Sequence, residues 1–372
     1  MTAAGSPGDV MLTGTTGFVG MELLARYLER GERNVVALVR GRDDDEARRR
    51  LDSVLRNLFG QRADGYARRV QAVAGDLTAP ALGLTRRRYE RLAERVTTIA
   101  HSAASVSFAL PLEHARAINL EGTRRMLEFA RRAVEHGRLD RYGHISTAYV
   151  AGNHTGRFAE SDLDLGQGFR NSYEQSKFES EKLVRCATDL PYTILRPSIV
   201  VGDRRSGWTA AFNVLYWPLR AFARGLFKAV PGIPTAPVDV VSVDYVADAI
   251  HELCASPGGI GETYHLTAGR DASTLGEIAN LASRYFRLPQ PAVLAPEEFA
   301  RLDRGTVYDE SSVYFPYFAI GTVFDDAVSR AQLEPAGIRA SPLREYIERL
   351  LDFATRSRWG KRPIARVEAL AV

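Results

Sequence analysis

The segment "NSYEQSKFES" sets Tyr173 four residues before Lys177, a spacing that puts two side chains on one face of a helix. A free phenol has a pKa of about 10 and is a poor proton donor near neutrality. A neighbouring ammonium is expected to lower that value towards the working range of a general acid–base catalyst. The chain has only four lysines, at 177, 182, 228 and 361, so a lysine at this spacing is informative. Upstream, "HISTAYV" ends a predicted strand at Thr147, whose hydroxyl could hold a substrate oxygen jointly with Tyr173. Ser146 is turned the other way by strand alternation and is assigned to packing. Taken alone, Tyr173 and Lys177 read better as a surface tyrosine and a solvated lysine; what precedes them decides otherwise.

"DVMLTGTTGFVGMELLARYLER" carries Gly14, Gly17 and Gly20 between a predicted strand at 9–13 and a helix at 21–30. In such a strand–turn–helix unit the first glycine permits the tight turn and the second admits a pyrophosphate. The third allows close helix–strand packing, and the helix start turns free N–H groups towards the phosphates. Gly14, Thr15, Thr16, Gly17, Phe18, Val19 and Gly20 are therefore the expected cradle. Where an NAD-selective chain places an acid after the second strand, "LVRGR" has Arg40. A guanidinium there suits a 2′-phosphate, with Arg50, of the run Arg48–Arg50, closing its other side. Asp43, Asp44 and Asp45 read as surface acids at a helix start. Asp76 and Leu77, ending the third strand, are expected at the adenine, although an Asp there could equally cap a turn. Ser102, Ala103 and Ala104 let the ligand lie flat, and His101 reads as structural. Pro197 and Ser198, with Tyr173 and Lys177, complete the set; Lys177 would also hold ribose hydroxyls. The expected cofactor is NADPH, and no metal is asked for.

The elements that must position these residues alternate. Apolar runs predict strands at 9–13, 34–39, 70–75, 96–103, 142–147 and 192–198, separated by helices at 21–30, 51–59, 113–136 and about 173–188. This is an α/β pattern, a doubly wound Rossmann-like parallel sheet, with a smaller, mostly helical C-terminal substrate-binding cap. The expected division is 1–203 for the cofactor-binding domain, with 238–270 folding back into it, and 204–237 plus 271–372 for the cap. "FNVLYWPLRAFARGLF" at 212–227, interrupted at Pro218, reads as an acyl-pocket wall, as core, or as a membrane-docking face.

With 372 residues, 45% hydrophobic, 25% charged and a net charge of +4, the composition is that of a globular protein. No basic stripe interleaved with aromatics supports a nucleic-acid partner. No run reaches the roughly 18 apolar residues of a membrane span. Cys186 and Cys254 are the only cysteines, and both read as packing rather than as nucleophiles. With no signal peptide at the N-terminus, the expected location is the cytoplasm.

Taken together, "TGTTGFVG", "LVRGRDDDEARRRL", "GDL", "HSAASVSF", "NLEGTRRMLEFA", "HISTAYVAG", "YEQSKFESE" and "LRPSIVVGD" resemble the extended short-chain dehydrogenase/reductase superfamily. Within it they resemble the thioester-reductase and fatty acyl-CoA reductase branch, the male-sterility type. The resemblance covers residues 9 to about 203 well and extends to about 250. It implies NADPH on the glycine loop, Arg40 and Arg50 at its 2′-phosphate, a Thr147–Tyr173–Lys177 triad, and an acyl thioester as substrate. Coenzyme A or a carrier protein fits as the thiol, and aldehyde or alcohol as the product. Carrier-fused members sit behind further domains, so this chain is expected to be free-standing. Other readings are a ketone or hydroxysteroid reductase, a sugar-nucleotide epimerase, and a non-catalytic NADP-binding sensor or scaffold. Ala148 and Tyr149, where a dehydratase would have carboxylates, speak against that variant.

Overall fold

The computed structural model describes residues 8–301 and 312–371; residues 1–7, 302–311 and 372 of the expected domains lie outside the described residues. Seven strands form one parallel sheet: β1 (Asp9–Thr13), β2 (Val35–Val39), β3 (Val70–Ala74), β4 (Val96–His101), β5 (Arg141–Ile145), β6 (Tyr192–Pro197) and β7 (Thr263–Leu266). Their order is β7-β6-β5-β4-β1-β2-β3. The strand order reverses between β1 and β4, the place where ligands enter a doubly wound sheet. Side chains alternate between the two faces. Val10 and Leu12 join one core with α1 (Phe18–Arg30) and α2 (Asp44–Phe59). Met11 joins another with α3 (Leu112–Glu135) and α4 (Ser172–Arg185).

Local chemistry explains where elements begin. α2 starts at Asp44, earlier than its apolar pattern, because Asp43 caps it by accepting from the Glu46 amide at 2.7 Å. Asp44 is likewise more than a surface acid: it accepts from the Ala74 amide and pairs with Arg88 at 2.7 Å. β5 stops at Ile145, and Thr147 instead caps a short turn over 148–151. Asn171 caps α4.

A third core lies outside the sheet. It joins Tyr149 and Phe158 to α5 (Tyr216–Ala223) and to Phe315, Tyr317, Phe324 and Leu350. Short pairings bind its segments together, 199–201 with 240–242, 229–231 with 292–294 and 156–158 with 322–324. α6 (Val243–Ala255) packs on α1, and the C-terminal Arg366–Leu370 helix returns to α2, with Arg366 reaching α1 to pair with buried Glu22 at 2.5 Å. Pro218 does not interrupt α5. It stands in the first turn, where a missing N–H costs little. Leu215, Tyr216, Leu219 and Phe222 are buried, so the apolar side of this stretch faces inward and is not the membrane-docking face that was one expectation. No helix among the described residues is long and apolar enough to cross a membrane.

Candidate active site

A cavity of about 530 Å³ runs along the sheet's switch point, from Arg40 and Arg50 past the glycine loop to Thr147, Tyr173 and Lys177. Every residue expected to bind the cofactor or to act in catalysis lines it except Thr15, which is buried with its hydroxyl unpartnered. The loop suits a dinucleotide's phosphates on geometric grounds. Gly14 has φ +79°, and a Cβ there would stand 2.8 Å from the Ala103 nitrogen. One on Gly20 would lie 2.0 Å from the Gly14 oxygen. The Gly17 amide closes the turn onto that oxygen at 2.8 Å.

At the far end, the Arg50 guanidinium donates to the Arg40 backbone carbonyl, and neither arginine has a carboxylate partner among the described residues. Arg48 is occupied with Asp52 at 2.8 Å. Asp76 lines the cavity, and one of its oxygens already accepts from the Thr78 amide (2.8 Å) and hydroxyl (2.7 Å), the turn-capping role. Asn119 pins the 102–105 loop by bridging the backbone of Ser105 and the Ser176 hydroxyl. His101 is held between Thr13 and Thr123, and burial pushes it down to about 3, so it stays neutral and structural. Ser146 donates to buried Glu181 at 2.7 Å, which in turn pairs with Arg196.

At the near end, half-buried Tyr173 and buried Thr147 both line the cavity, and the Thr147 hydroxyl donates to the Pro197 carbonyl at 3.4 Å. The expected acidification of the phenol is not seen. Burial pushes Tyr173 up to about 12, only partly opposed by the polar Thr147 side chain. The ammonium is engaged elsewhere, donating 2.8 Å to the Ile145 carbonyl. Burial lowers Lys177 to about 8 against the pull of Glu181. At neutral pH the pair is thus a protonated phenol beside a cation, the state in which a tyrosine donates a proton.

The wall opposite Tyr173 was not foreseen. Tyr149 and Tyr317 meet edge to face at 5.1 Å, and Phe108 stacks on Tyr317 at 5.4 Å and lies 5.9 Å from Tyr173. Tyr317 donates 2.7 Å to buried Glu174 and accepts 2.9 Å from Asn171. Asn213 and Val214 also line the cavity, Val214 at φ +42°, a strained conformation for a β-branched residue. Leu215, Leu219 and Phe222 line instead a second, apolar cavity of about 50 Å³. Of the cysteines, Cys254 is buried and Cys186 exposed; neither lines the main cavity.

A parallel sheet with a glycine turn at its switch point and a Tyr/Lys helix beside it defines the short-chain dehydrogenase/reductase type. The family model described as male sterility protein, an NAD-binding domain, matches residues 12–250. The chain belongs to that family and is an NAD(P)-dependent oxidoreductase of the short-chain type. It is 34% identical over 275 residues to a non-canonical nonribosomal peptide synthetase of Aspergillus campestris, covering 70% of this chain and 25% of that one. It is 31% identical over 274 residues to a carboxylic acid reductase of Segniliparus rugosus, covering 66% and 23%. The chain thus spans about a quarter of the length of these curated relatives. The terminal R domain of the myxalamid PKS-NRPS biosynthetic pathway superimposes with a TM-score of 0.84 at 28% identity, covering 97% of this chain and 94% of that one.

Proposed function

We propose that this chain reduces an acyl thioester to the aldehyde with NADPH, and that a second round on the same site would carry the aldehyde to the alcohol. The observation that carries the reading is the continuity of the cavity, from two arginines without a carboxylate partner among the described residues to Tyr173. Arg40 and Arg50 would hold the 2′-phosphate, the Gly14–Gly20 loop the pyrophosphate, and Asp76, Leu77, Ser102–Ala104, Pro197 and Ser198 the rest of the dinucleotide. When bound, NADPH supplies the hydride that the carbonyl carbon accepts.

The chain's own groups do the remainder. Thr147 and Tyr173 hold the carbonyl oxygen, and Tyr173 gives it a proton as negative charge develops there. Lys177 stabilises that charge and anchors a ribose; donors aimed at charge that appears only during reaction raise the rate most. The resulting hemithioacetal loses its hydroxyl proton and breaks its C–S bond, releasing thiol and aldehyde. The aromatic wall of Phe108, Tyr149 and Tyr317 keeps water from the reacting carbon. We assign 1–203 with 238–270 to cofactor binding and 204–237 with 271–372 to the substrate cap.

The relatives named as a peptide synthetase and a carboxylic acid reductase support a carbonyl bound as a thioester, on a carrier protein or on coenzyme A. The reading is tested with a panel of acyl-CoAs and carrier-bound acyl groups, each with NADPH and with NADH, followed by product analysis. Aldehyde or alcohol formed with NADPH supports it. Reduction of ketones alone, with every thioester intact, would replace it with the ketone-reductase reading.

A further inference from the structure

His144, the fourth residue of β5, is fully buried, with its Nδ1 unpartnered. Its Nε2 stands 3.5 Å from the Lys177 ammonium, its one hydrogen-bonding contact among the described residues. An ammonium has donors and no acceptor. A histidine nitrogen facing it must therefore be the bare, accepting one, which leaves the ring proton on Nδ1. Packing alone does not account for an imidazole here. The neighbouring strand position, His101, has a partner for each ring nitrogen, whereas His144 leaves one unmet and directs the other at Lys177.

We propose that His144 is a positioning residue for Lys177: its neutral imidazole and the Ile145 carbonyl fix two of the three ammonium N–H bonds, leaving one for the cavity. This rests on the site assignment above and deepens it. The Ile145 carbonyl lies 2.8 Å away and the imidazole at the long end of hydrogen-bond range, so the ammonium is held from the strand side while α4 delivers it. The titratable groups that act on it or feel it are Glu181 on α4, His144 on β5 and His101 on β4, while Tyr173 lies one turn before it on α4; α3 contributes the uncharged Asn119, bonded to Ser176, and Thr123, bonded to His101. Burial and Lys177 itself keep His144 well below the ordinary histidine range. It therefore accepts without adding a competing charge.

The four lysines make the test direct. In the full chain labelled with [ε-13C]lysine, the Lys177 resonance is assigned by its loss in Lys177→Met and titrated without cofactor. His144→Leu should shift the Lys177 pKa down by about one unit, because a buried cation loses an acceptor. It should move the alkaline limb of turnover with it and weaken NADPH binding about tenfold. His144→Gln, whose amide oxygen can accept, should recover most of both. An unchanged Lys177 titration in folded His144→Leu, or His144→Gln behaving like the leucine variant, overturns the inference. Should His144→Leu not fold, 15N spectra of the wild-type imidazole decide: a bare Nε2 upholds it and a protonated Nε2 overturns it. If Lys177→Met keeps turnover and cofactor binding, the site assignment itself falls. If Lys177→Met is inactive while His144→Leu is unaltered, only the present inference does.

Discussion

The Tyr317 hydroxyl donates a 2.7 Å hydrogen bond to the buried carboxylate of Glu174, so the C-terminal half is tied to the helix turn that carries Tyr173. Arg170 completes the grip, 3.3 Å from that carboxylate and 5.7 Å from the Tyr317 ring centre. The wall of the cavity and its proton donor are thereby held in one frame. Tyr317→Phe keeps the ring and removes the donor, leaving Glu174 short of a partner at a cost of about 1–3 kcal/mol. Thermal unfolding should show that loss, and KM for the acyl substrate should rise several-fold with kcat changed much less. A kcat loss as large as that of a Tyr173 variant would show that Tyr317 takes part in the proton transfer.

Tyr173→Phe should lower kcat by about 10²–10⁴-fold while NADPH binding, followed by fluorescence titration, stays within a few-fold. Wild-type turnover in this variant would remove Tyr173 as the proton donor.

Arg40→Asp should weaken NADPH by about tenfold to a hundredfold, the worth of a charged hydrogen-bonded pair, and leave NADH much less affected. Equal effects on the two cofactors would mean that the 2′-phosphate is not held at Arg40.

Gly20→Ala places a Cβ 2.0 Å from the Gly14 oxygen, whereas Gly17→Ala places one 3.2 Å from it. The first should cost about 1–3 kcal/mol in stability as the loop is forced open and abolish dinucleotide binding, with the second milder in both. Calorimetry and cofactor titration of the two variants compare them directly.

Lys177 sets the alkaline side of the pH profile. Its charge is lost as pH rises through about 8, whereas Tyr173, pushed up to about 12, stays protonated throughout. kcat/KM should therefore fall above about pH 8. Stability runs the other way. The folded pKa lies below the ordinary value of 10.5, so the folded state sheds the proton first. The penalty of burying the charge fades between about pH 8 and 10.5. Lys177→Met should lose that rise in chemical denaturation measured across the same window.

Much of this was legible in the residues themselves. The sheet showed because most of its strands are short apolar runs ended by glycine or by a small polar residue, and the cofactor cleft showed because glycine spacing reports backbone geometry. Arg50 could be preferred over Arg48 but not secured, since only the fold reveals that Arg48 is spent on Asp52. Tyr317 was hidden in "SSVYFPYFA", which has no helical or strand period; only its long-range bonds to Asn171 and Glu174 give it a role. The direction of the Tyr173 shift was read the wrong way. Charge spacing is visible in a sequence, whereas burial, which dominates here, is not.

The account's central claim is tested most directly by NADPH deuterated at the reactive nicotinamide carbon, mixed with an acyl thioester and the wild-type chain. The predicted product is free thiol together with aldehyde carrying deuterium on the former thioester carbon, and with Tyr173→Phe both form about 10²–10⁴-fold more slowly. Thioester recovered intact while deuterium appears in an added ketone's alcohol would contradict it.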